Sequence, residues 1–218
     1  MPLDQVAAIV FGADNGAPPP APALPSVRID LSDATAWSGR LNAITPDTVS
    51  LQLADGPAIA IPLAAVRGIA VRSSRVQWLS SLEPIGVERT AALDLDPFLM
   101  RDMAPGGPGL VLGSRRFARG LCMAPRTRVT FALSPGAFAV LETTIGIDER
   151  SGGPADAIFR IRLDDALVFE REHVRIGTLE DLRIPLRDAK RLTLEVDFGE
   201  HFDLGDHCAF GGARLLKT

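Results

Sequence analysis

The chain has 218 residues, of which 46% are hydrophobic and 23% are charged, and its formal net charge is −4. A hydrophobic fraction of that size fills a core, which excludes an intrinsically disordered chain. Acidic and basic residues are interspersed, so no basic patch indicates a nucleic-acid partner. No apolar run reaches the roughly 18 residues that a membrane span requires, so we expect no membrane segment.

Residues 1–26 are predicted to form a short N-terminal segment and a linker. The first residues, from Met1 to Gln5, lack the basic start and apolar stretch of a signal peptide. Residues 12–25 read GADNGAPPPAPALP, a composition that favours extended conformations and is typical of a tether. A proline-rich docking motif is the alternative. The chain is therefore either cytoplasmic or part of a longer secreted protein.

Residues 27–73 are predicted to form a small β domain. The segments VRIDLSD, WSGRLNAI, TVSLQLAD and AIAIPLAAVRGIAV have the alternating apolar residues of four short strands. Turn residues such as Ser38-Gly39 and Pro46-Asp47 punctuate them. This pattern, over residues 28–72, resembles the small SH3-like and Sm-like barrels, so we expect a small barrel or meander.

Residues 74–218 are predicted to form a β-sandwich, which makes the fold class all-β. Nine further strand-like segments follow one another, and no amphipathic helix of ten or more residues interrupts them. In residues 159–163, FRIRL, apolar residues alternate strictly with arginines. One face of that strand should meet the core and the other should meet water.

Cys122 and Cys208 are the two cysteines of the chain. Because they lie in different segments, a disulfide between them requires those segments to be neighbours in space. Buried free thiols are the alternative. Their spacing matches no metal site.

Residues 76–217 contain an ordered series of short motifs: WLSSLEP (78–84), PGLVLG (108–113), FARGL (117–121), TIGID (144–148), GG (152–153), GDH (205–207) and ARL (213–215). This series resembles the NPCBM family, which is related to galactose-binding-like jelly rolls. Members of this family occur in many secreted bacterial proteins. The resemblance implies a jelly roll, a carbohydrate as partner, and an extracellular or cell-envelope location if the chain is part of a longer protein.

The chain departs from the family pattern in two places. CMA (122–124) stands where the family has a triplet with histidine, and CAFGG (208–212) stands where it commonly reads A-D-W-A-D. Carboxylates hydrogen-bond sugar hydroxyls or bind calcium, and an exposed indole stacks on a pyranose ring. The replaced residues are therefore ones that a sugar site or a metal site uses.

Five residues are the candidate ligand contacts, because loops at one rim of a sandwich commonly carry recognition. They are Asp148, Arg150, Asp206, His207 and Phe210. The four polar residues offer hydrogen-bonding groups, and the phenyl ring offers an apolar platform. The alternatives are an ordinary turn after Ile147 and a loop-orienting role for the histidine.

Three aspartates, Asp94, Asp96 and Asp102, are the candidate ligands of a structural Ca²⁺, since hard oxygen ligands suit that ion. Their spacing matches no EF-hand loop, so solvated carboxylates are the alternative.

No G-x-S-x-G or H-E-x-x-H motif and no opposed pair of carboxylates indicates catalysis, so we do not expect an enzyme.

Two functional hypotheses follow from these observations. The first is a non-catalytic module whose rim loops bind a carbohydrate. The second is a structural or protein-interaction module that has lost the sugar site and packs against another protein. The retained G-I-D and G-D-H motifs favour the first hypothesis, and the replaced His, Trp and Asp residues favour the second.

Overall fold

The computed structural model describes residues 25–53, 56–90, 98–200 and 206–217. Within these ranges the chain consists of twenty β-strands and two single turns of 3-10 helix, which confirms the all-β class. The chain divides into two compact units, Met1–Arg72 and Ser73–Thr218. Among the described residues, no helix has the length and apolar character needed to cross a bilayer.

The first unit contains one antiparallel sheet of five strands. They are β1 (Ser26–Leu31), β2 (Ala36–Ile44), β3 (Thr48–Leu53), β4 (Ala58–Pro62) and β5 (Val66–Arg72). Their order in the sheet is β4-β3-β2-β1-β5. The last predicted segment is therefore two strands instead of one. The chain turns at Leu63–Ala65, directly after Pro62, and β5 then pairs with β1. Proline suits the end of edge strand β4 because it cannot donate to a ladder.

The core of this unit follows from the period-two alternation of its strands. Five residues, each at most 5% exposed, form it: Val27, Ile29, Val49, Leu51 and Ile61.

The Ser38-Gly39 pair, predicted as a turn, lies inside β2. A Cβ at Gly39 would stand 2.2 Å from the carbonyl oxygen of Gln52. The neighbouring strand comes so close that no other residue fits, so this glycine serves a close approach between strands and not a turn.

The second unit is a sandwich of two antiparallel sheets. The six-stranded sheet contains β6 (Val76–Trp78), β8 (Leu99–Arg101), β13 (Gly120–Met123), β15 (Val140–Ile147), β18 (Leu179–Pro185) and β20 (Cys208–Leu216). Its order is β18-β15-β20-β13-β8, and β6 pairs with β20 beyond the end of β13. The five-stranded sheet contains β7 (Gly86–Arg89), β14 (Thr127–Ala132), β16 (Ala157–Leu163), β17 (Ala166–Val174) and β19 (Arg191–Phe198). Its order is β17-β16-β19-β14-β7.

The main core lies between these two sheets, and its largest fully buried side chains are Phe131, Phe159 and Phe210. The rings of Phe159 and Phe210 meet edge to face, with their centroids 5.3 Å apart. The predicted alternation in FRIRL is confirmed, because Phe159 and Ile161 are buried whereas Arg160 lies on the outer face. Burying each ring contributes roughly 1.5–3 kcal/mol relative to leaving it in water.

A cover segment, residues 103–117, packs on the outer face of the six-stranded sheet. It consists of two short hairpins, one of β9 (Met103–Ala104) and β10 (Gly107–Pro108), the other of β11 (Leu110–Leu112) and β12 (Arg115–Phe117). Leu110 and Leu112 form a second small core with Cys122 and Ala209, which belong to strands of the sheet. The sandwich therefore carries a partial third layer.

The two cysteines are free and buried. Cys122 pairs with Ala209 in the register of β13 and β20, and Met123 pairs with Cys208. Successive side chains of a strand point to opposite faces, so Cys122 lies under the cover segment while Cys208 lies in the main core. The segments are neighbours, as a disulfide would require, but the thiols point apart.

Candidate functional site

The first candidate contact, Asp148, lies directly after β15 and is fully buried. Its carboxylate accepts hydrogen bonds from the backbone N–H of Val111 at 2.9 Å and of Arg150 at 3.0 Å. It also accepts from Nε and Nη2 of Arg150, both at 2.8 Å. Burial raises the pKa of Asp148, but these hydrogen bonds outweigh it and hold the pKa below its usual range. An ionised carboxylate offers about four acceptor positions, so little capacity is left for a ligand.

Asp148 and the next two residues, Glu149 and Arg150, form a cluster that we call the clamp. Arg150 Nη2 also donates to the carbonyl of Gly109 at 2.8 Å. Glu149 Oε1 accepts from the N–H of Gly113 at 2.9 Å and of Gly177 at 3.0 Å. The bonds with Gly109 and Gly113 join the end of β15 to the cover segment, whereas the bond with Gly177 does not. The clamp therefore fastens the third layer to the sandwich.

Asp206 and His207 of the G-D-H motif lie beside the clamp. The carbonyl of His207 accepts from the N–H of Asp148 at 2.9 Å, and Oδ1 of the buried Asp206 accepts from the N–H of Asp156 at 2.9 Å. The half-buried His207 ring meets Phe98 edge to face at 5.5 Å. Burial lowers the pKa of His207, with Asp148 opposing and Arg150 adding to the shift, so the ring is neutral at pH 7.

Phe210 does not lie at the rim. It is fully buried in β20, where its ring contacts Phe159. The prediction of an exposed platform is wrong for this residue, because the side chains of β20 at even positions from Cys208 to Phe210 point into the main core. The structure thus brings Asp148, Arg150 and His207 together at one end of the sheet and places the phenyl ring inside.

The calcium prediction concerns three aspartates, of which Asp94 and Asp96 lie outside the described residues. Asp102 has a left-handed backbone, with φ 59°. Its Oδ1 accepts from the N–H of Gly120 at 3.0 Å, and its Oδ2 accepts from Arg119 Nη1 at 2.9 Å. A guanidinium already neutralises this carboxylate, so Asp102 closes a loop and is a poor cation ligand.

A second cluster with metal-ligating side chains joins Asp156, His173 and Glu200, whose ligand atoms lie within 4.8 Å of one another. Oδ2 of the buried Asp156 lies 3.1 Å from His173 Nδ1 and 3.2 Å from Arg175 Nη2. Burial raises the pKa of Asp156, but its hydrogen bonds with His173 and Arg175 outweigh burial and hold the pKa below its usual range. Arg175 places a permanent positive charge at the position of a metal cation, so the cluster fits a neutralised buried carboxylate.

An open groove of about 280 Å³ lies on the outer face of the six-stranded sheet, next to the cover segment. Two rows of side chains cross the strands there. In the first row Arg183 of β18 stands opposite Glu142 of β15, which stands opposite Arg214 of β20. In the second row Asp181 stands opposite Thr144. Side chains two apart on a strand share a face, which is why both rows point outward.

The first row is a chain of paired charges. Glu142 Oε1 accepts from Arg183 Nη1 at 2.9 Å, and Oε2 accepts from Arg214 Nη2 at 2.8 Å. The guanidinium of Arg214 also lies 5.6 Å from the centre of the Trp78 ring on β6, a cation–π distance. The row therefore ends on an aromatic side chain.

The cover segment contacts the second row through Arg115. Asp181 accepts from Thr144 Oγ1 at 2.5 Å and from Arg115 Nη1 at 2.7 Å. The hydroxyl of Thr144 and then Arg115 lower the pKa of Asp181, with burial opposing, so the carboxylate is ionised at neutral pH. The Arg115 guanidinium lies 5.0 Å from the centre of the Phe117 ring.

Two glycines of β20 make room for this arrangement. A Cβ at Gly211 would stand 2.8 Å from Cδ2 of Phe117, so the ring rests on bare backbone. Gly212 has φ 63° and lies where the β15–β20 register shifts. The prediction from sequence noted this GG pair only as a loss of family-typical residues. Glycines within a strand signal a close approach, and that signal was available.

Comparison with known proteins gives a consistent fold. A sequence profile of the NPCBM/NEW2 domain matches residues 75–216. Among solved structures, the CBM51 of Clostridium perfringens GH95, in complex with methyl-galactose, is 22% identical with a TM-score of 0.57, covering 64% of this chain and 99% of that one. CBM51-2 with the INT domains of C. perfringens ZmpB, in complex with GlcNAc, is 18% identical with a TM-score of 0.58, covering 88% of this chain and 40% of that one.

A third solved structure, the tandem CBM51 modules of Sp3GH98 from Streptococcus pneumoniae, is 17% identical with a TM-score of 0.53, covering 88% of this chain and 71% of that one. At such identities these similarities concern the fold. A comparison with curated protein sequences finds no match. The profile match extends over the whole sandwich and more than half of the chain, so this chain belongs to the NPCBM/NEW2 domain family.

Proposed function

We propose that this chain is a non-catalytic carbohydrate-binding module and that its ligand lies in the groove. The observation that carries the proposal is the pair of outward-facing rows over β15, β18 and β20. Their charged side chains hold one another by hydrogen bonds, so their remaining donors and acceptors are fixed in space before a ligand arrives. Preorganised groups of this kind bind hydroxyls without a large ordering cost.

The family and the fold support carbohydrate as the ligand class. Two of the similar structures were solved with methyl-galactose and with GlcNAc. The groove also has an aromatic wall in Phe117, and Trp78 stands at the end of the first row. Sugar rings offer both hydroxyls and apolar faces, and a groove with both kinds of lining suits them.

The proposed ligand therefore lies on the sheet face and not at the rim loops. Asp148 and Arg150 hold the cover segment, and Phe210 is buried, so these three predicted contacts serve the fold. His207 keeps a partly exposed ring at the rim. The internal use of the other rim residues favours the second hypothesis, a structural or protein-interaction module, if the groove binds no sugar.

The test is a glycan-array screen of the full chain, with and without Ca²⁺, followed by calorimetry on each hit. Arg115→Ala should weaken binding at least about tenfold, because hydrogen bonds to a charged group contribute about 1.5–3 kcal/mol. The matched control is Arg191→Ala. Arg115 and Arg191 have side chains that are 44% and 49% exposed, and each pairs with an exposed aspartate, at 2.7 Å and 2.6 Å.

Unchanged affinity in Arg115→Ala would remove the groove as the binding site. An equal loss in both variants would point to an effect on the whole domain. A folded chain that binds no glycan in either condition would overturn the carbohydrate proposal and favour the interaction module. Binding that requires Ca²⁺ would direct attention back to Asp94 and Asp96.

A further inference from the structure

We infer that the groove prefers a carbohydrate that carries carboxylate groups, such as a uronic acid, over a neutral sugar. The inference rests on the proposed function, since it names the ligand class of the same site. It follows from the balance of charges in the groove and from guanidinium N–H groups that have no acceptor among the described residues.

The groove has more positive than negative charge. Three arginines and two carboxylates line it: Arg115, Arg183, Arg214, Glu142 and Asp181. Three positive and two negative charges leave a net charge of +1 there, although the chain as a whole has −4. Both carboxylates are held by arginines, Glu142 by two of them and Asp181 by one. Among the described lining residues, a cation would find no unneutralised acid in this groove.

Arg183 offers the ligand a ready edge. Its side chain is 71% exposed and pairs with Glu142 through Nη1. Within the described part of the chain, its Nε and Nη2 donate to no acceptor. These two nitrogens form the planar fork that matches the two oxygens of a carboxylate. A ligand carboxylate can therefore bind Arg183 without breaking the existing pair.

Arg115, from the cover segment, repeats the pattern in the same groove. Both of its side-chain hydrogen bonds to Asp181 come from Nη1. Its Nε and Nη2 have no acceptor among the residues that the structure describes. The ring of Phe117 below the guanidinium restrains it. A neutral sugar leaves these charged donors to bond hydroxyls alone, whereas a carboxylate also compensates their charge.

The experiment compares matched ligands on the full chain by calorimetry. The acidic probes are trigalacturonate and the carboxylated glycans of the array, and each neutral counterpart is the same glycan with its carboxyl group reduced to an alcohol. We expect the carboxylated forms to bind at least about tenfold more tightly, which corresponds to about 1.4 kcal/mol. Because salt screens exposed charges, this preference should shrink between 50 mM and about 500 mM NaCl.

Arg183→Gln should weaken binding of the carboxylated form more than binding of the reduced form, and Arg183→Gln combined with Arg115→Gln should abolish the preference. Arg183→Lys, which keeps the charge and loses the fork, should retain part of the preference. Arg191→Gln, on the other sheet, is the control and should change neither affinity.

The outcomes separate this inference from the proposed function. Groove-dependent binding of neutral glycans, with no carboxylated glycan bound more tightly, would overturn the inference and leave the proposed function standing. Absence of binding to every glycan would overturn both. A preference for carboxylates that survives the combined Arg115→Gln and Arg183→Gln variant would also overturn the inference, because neither assigned donor would be the one in use.

Discussion

Replacing Asp148 by asparagine tests whether the clamp fastens the cover segment to the sandwich. The wild-type carboxylate accepts four hydrogen bonds, one from Val111 and three from Arg150. An amide keeps one acceptor oxygen and turns an N–H₂ group toward the donors. Breaking a buried ion pair by removing one partner costs about 3–5 kcal/mol. Since the Arg150 side chain is 27% exposed, water compensates part of that, and we expect a loss of about 2–3 kcal/mol.

Urea unfolding followed by tryptophan fluorescence measures this loss. The chain has two tryptophans, so a Trp37→Phe background leaves Trp78 as the reporter of the second unit. About 2–4 °C of melting temperature per kcal/mol applies to a domain of this size, so the thermal midpoint should fall by roughly 4–12 °C. The control is Asp188→Asn at an exposed position, which should change stability by less than about 0.5 kcal/mol.

The pH dependence supplies a second readout of the same variant. Burial raises the pKa of Asp148, but the hydrogen bonds from Arg150 and Val111 lower it further, below its ordinary value of 3.8. A depressed folded-state pKa gives stability that is present above the unfolded pKa and is lost as the pH falls through the folded one. The difference between wild type and variant should therefore shrink from pH 7 toward pH 2. A difference that stays constant, or is below about 0.5 kcal/mol at pH 7, would refute the clamp.

Two further predictions concern stability. Gly39→Ala should destabilise the first unit by more than about 2 kcal/mol, because the added Cβ meets a backbone carbonyl. Gly68→Ala is the control and should be neutral or slightly stabilising, because a Cβ there has nothing within 4 Å. Equal melting midpoints for the two variants would contradict this prediction. Phe210→Ala should cost about 3–5 kcal/mol of unfolding free energy in the second unit, since it leaves a cavity between the sheets, and a loss below 1 kcal/mol in urea unfolding would show that the ring is not packed as described.

Much of the fold was predictable because period-two alternation survives in strands of six or more residues. In TRVTFA and AIFRIRL, the alternation of residues directly predicts which side chains are buried and which point outward. The hairpin strands of the cover segment have two or three residues each, too few for alternation to show. β20 begins at Cys208, and its first half is buried on both faces, so polar and apolar residues do not alternate there. Alternation is visible only near Arg214, which is why the sequence did not reveal the start of this strand.

The site was less predictable. The motif TIGID pointed to Asp148, but a sequence does not reveal whether a carboxylate faces solvent or a backbone N–H. The groove joins Glu142, Asp181 and Arg214, which are separated by about 30 to 70 residues and meet only through strand register. The loop motifs led to the prediction of a site at the rim. The charged residues of the sheet face have no local sequence pattern that distinguishes a groove from an ordinary solvated face.

The placement of the two thiols has a consequence for measuring motion. Burial raises the pKa of both, so neither is a reactive thiolate while the protein is closed. A labelling reagent reaches Cys122 when the cover segment lifts, but it reaches Cys208 only when the two sheets separate. Comparing the two labelling rates within one molecule therefore distinguishes a local opening of the outer layer from unfolding of the whole sandwich.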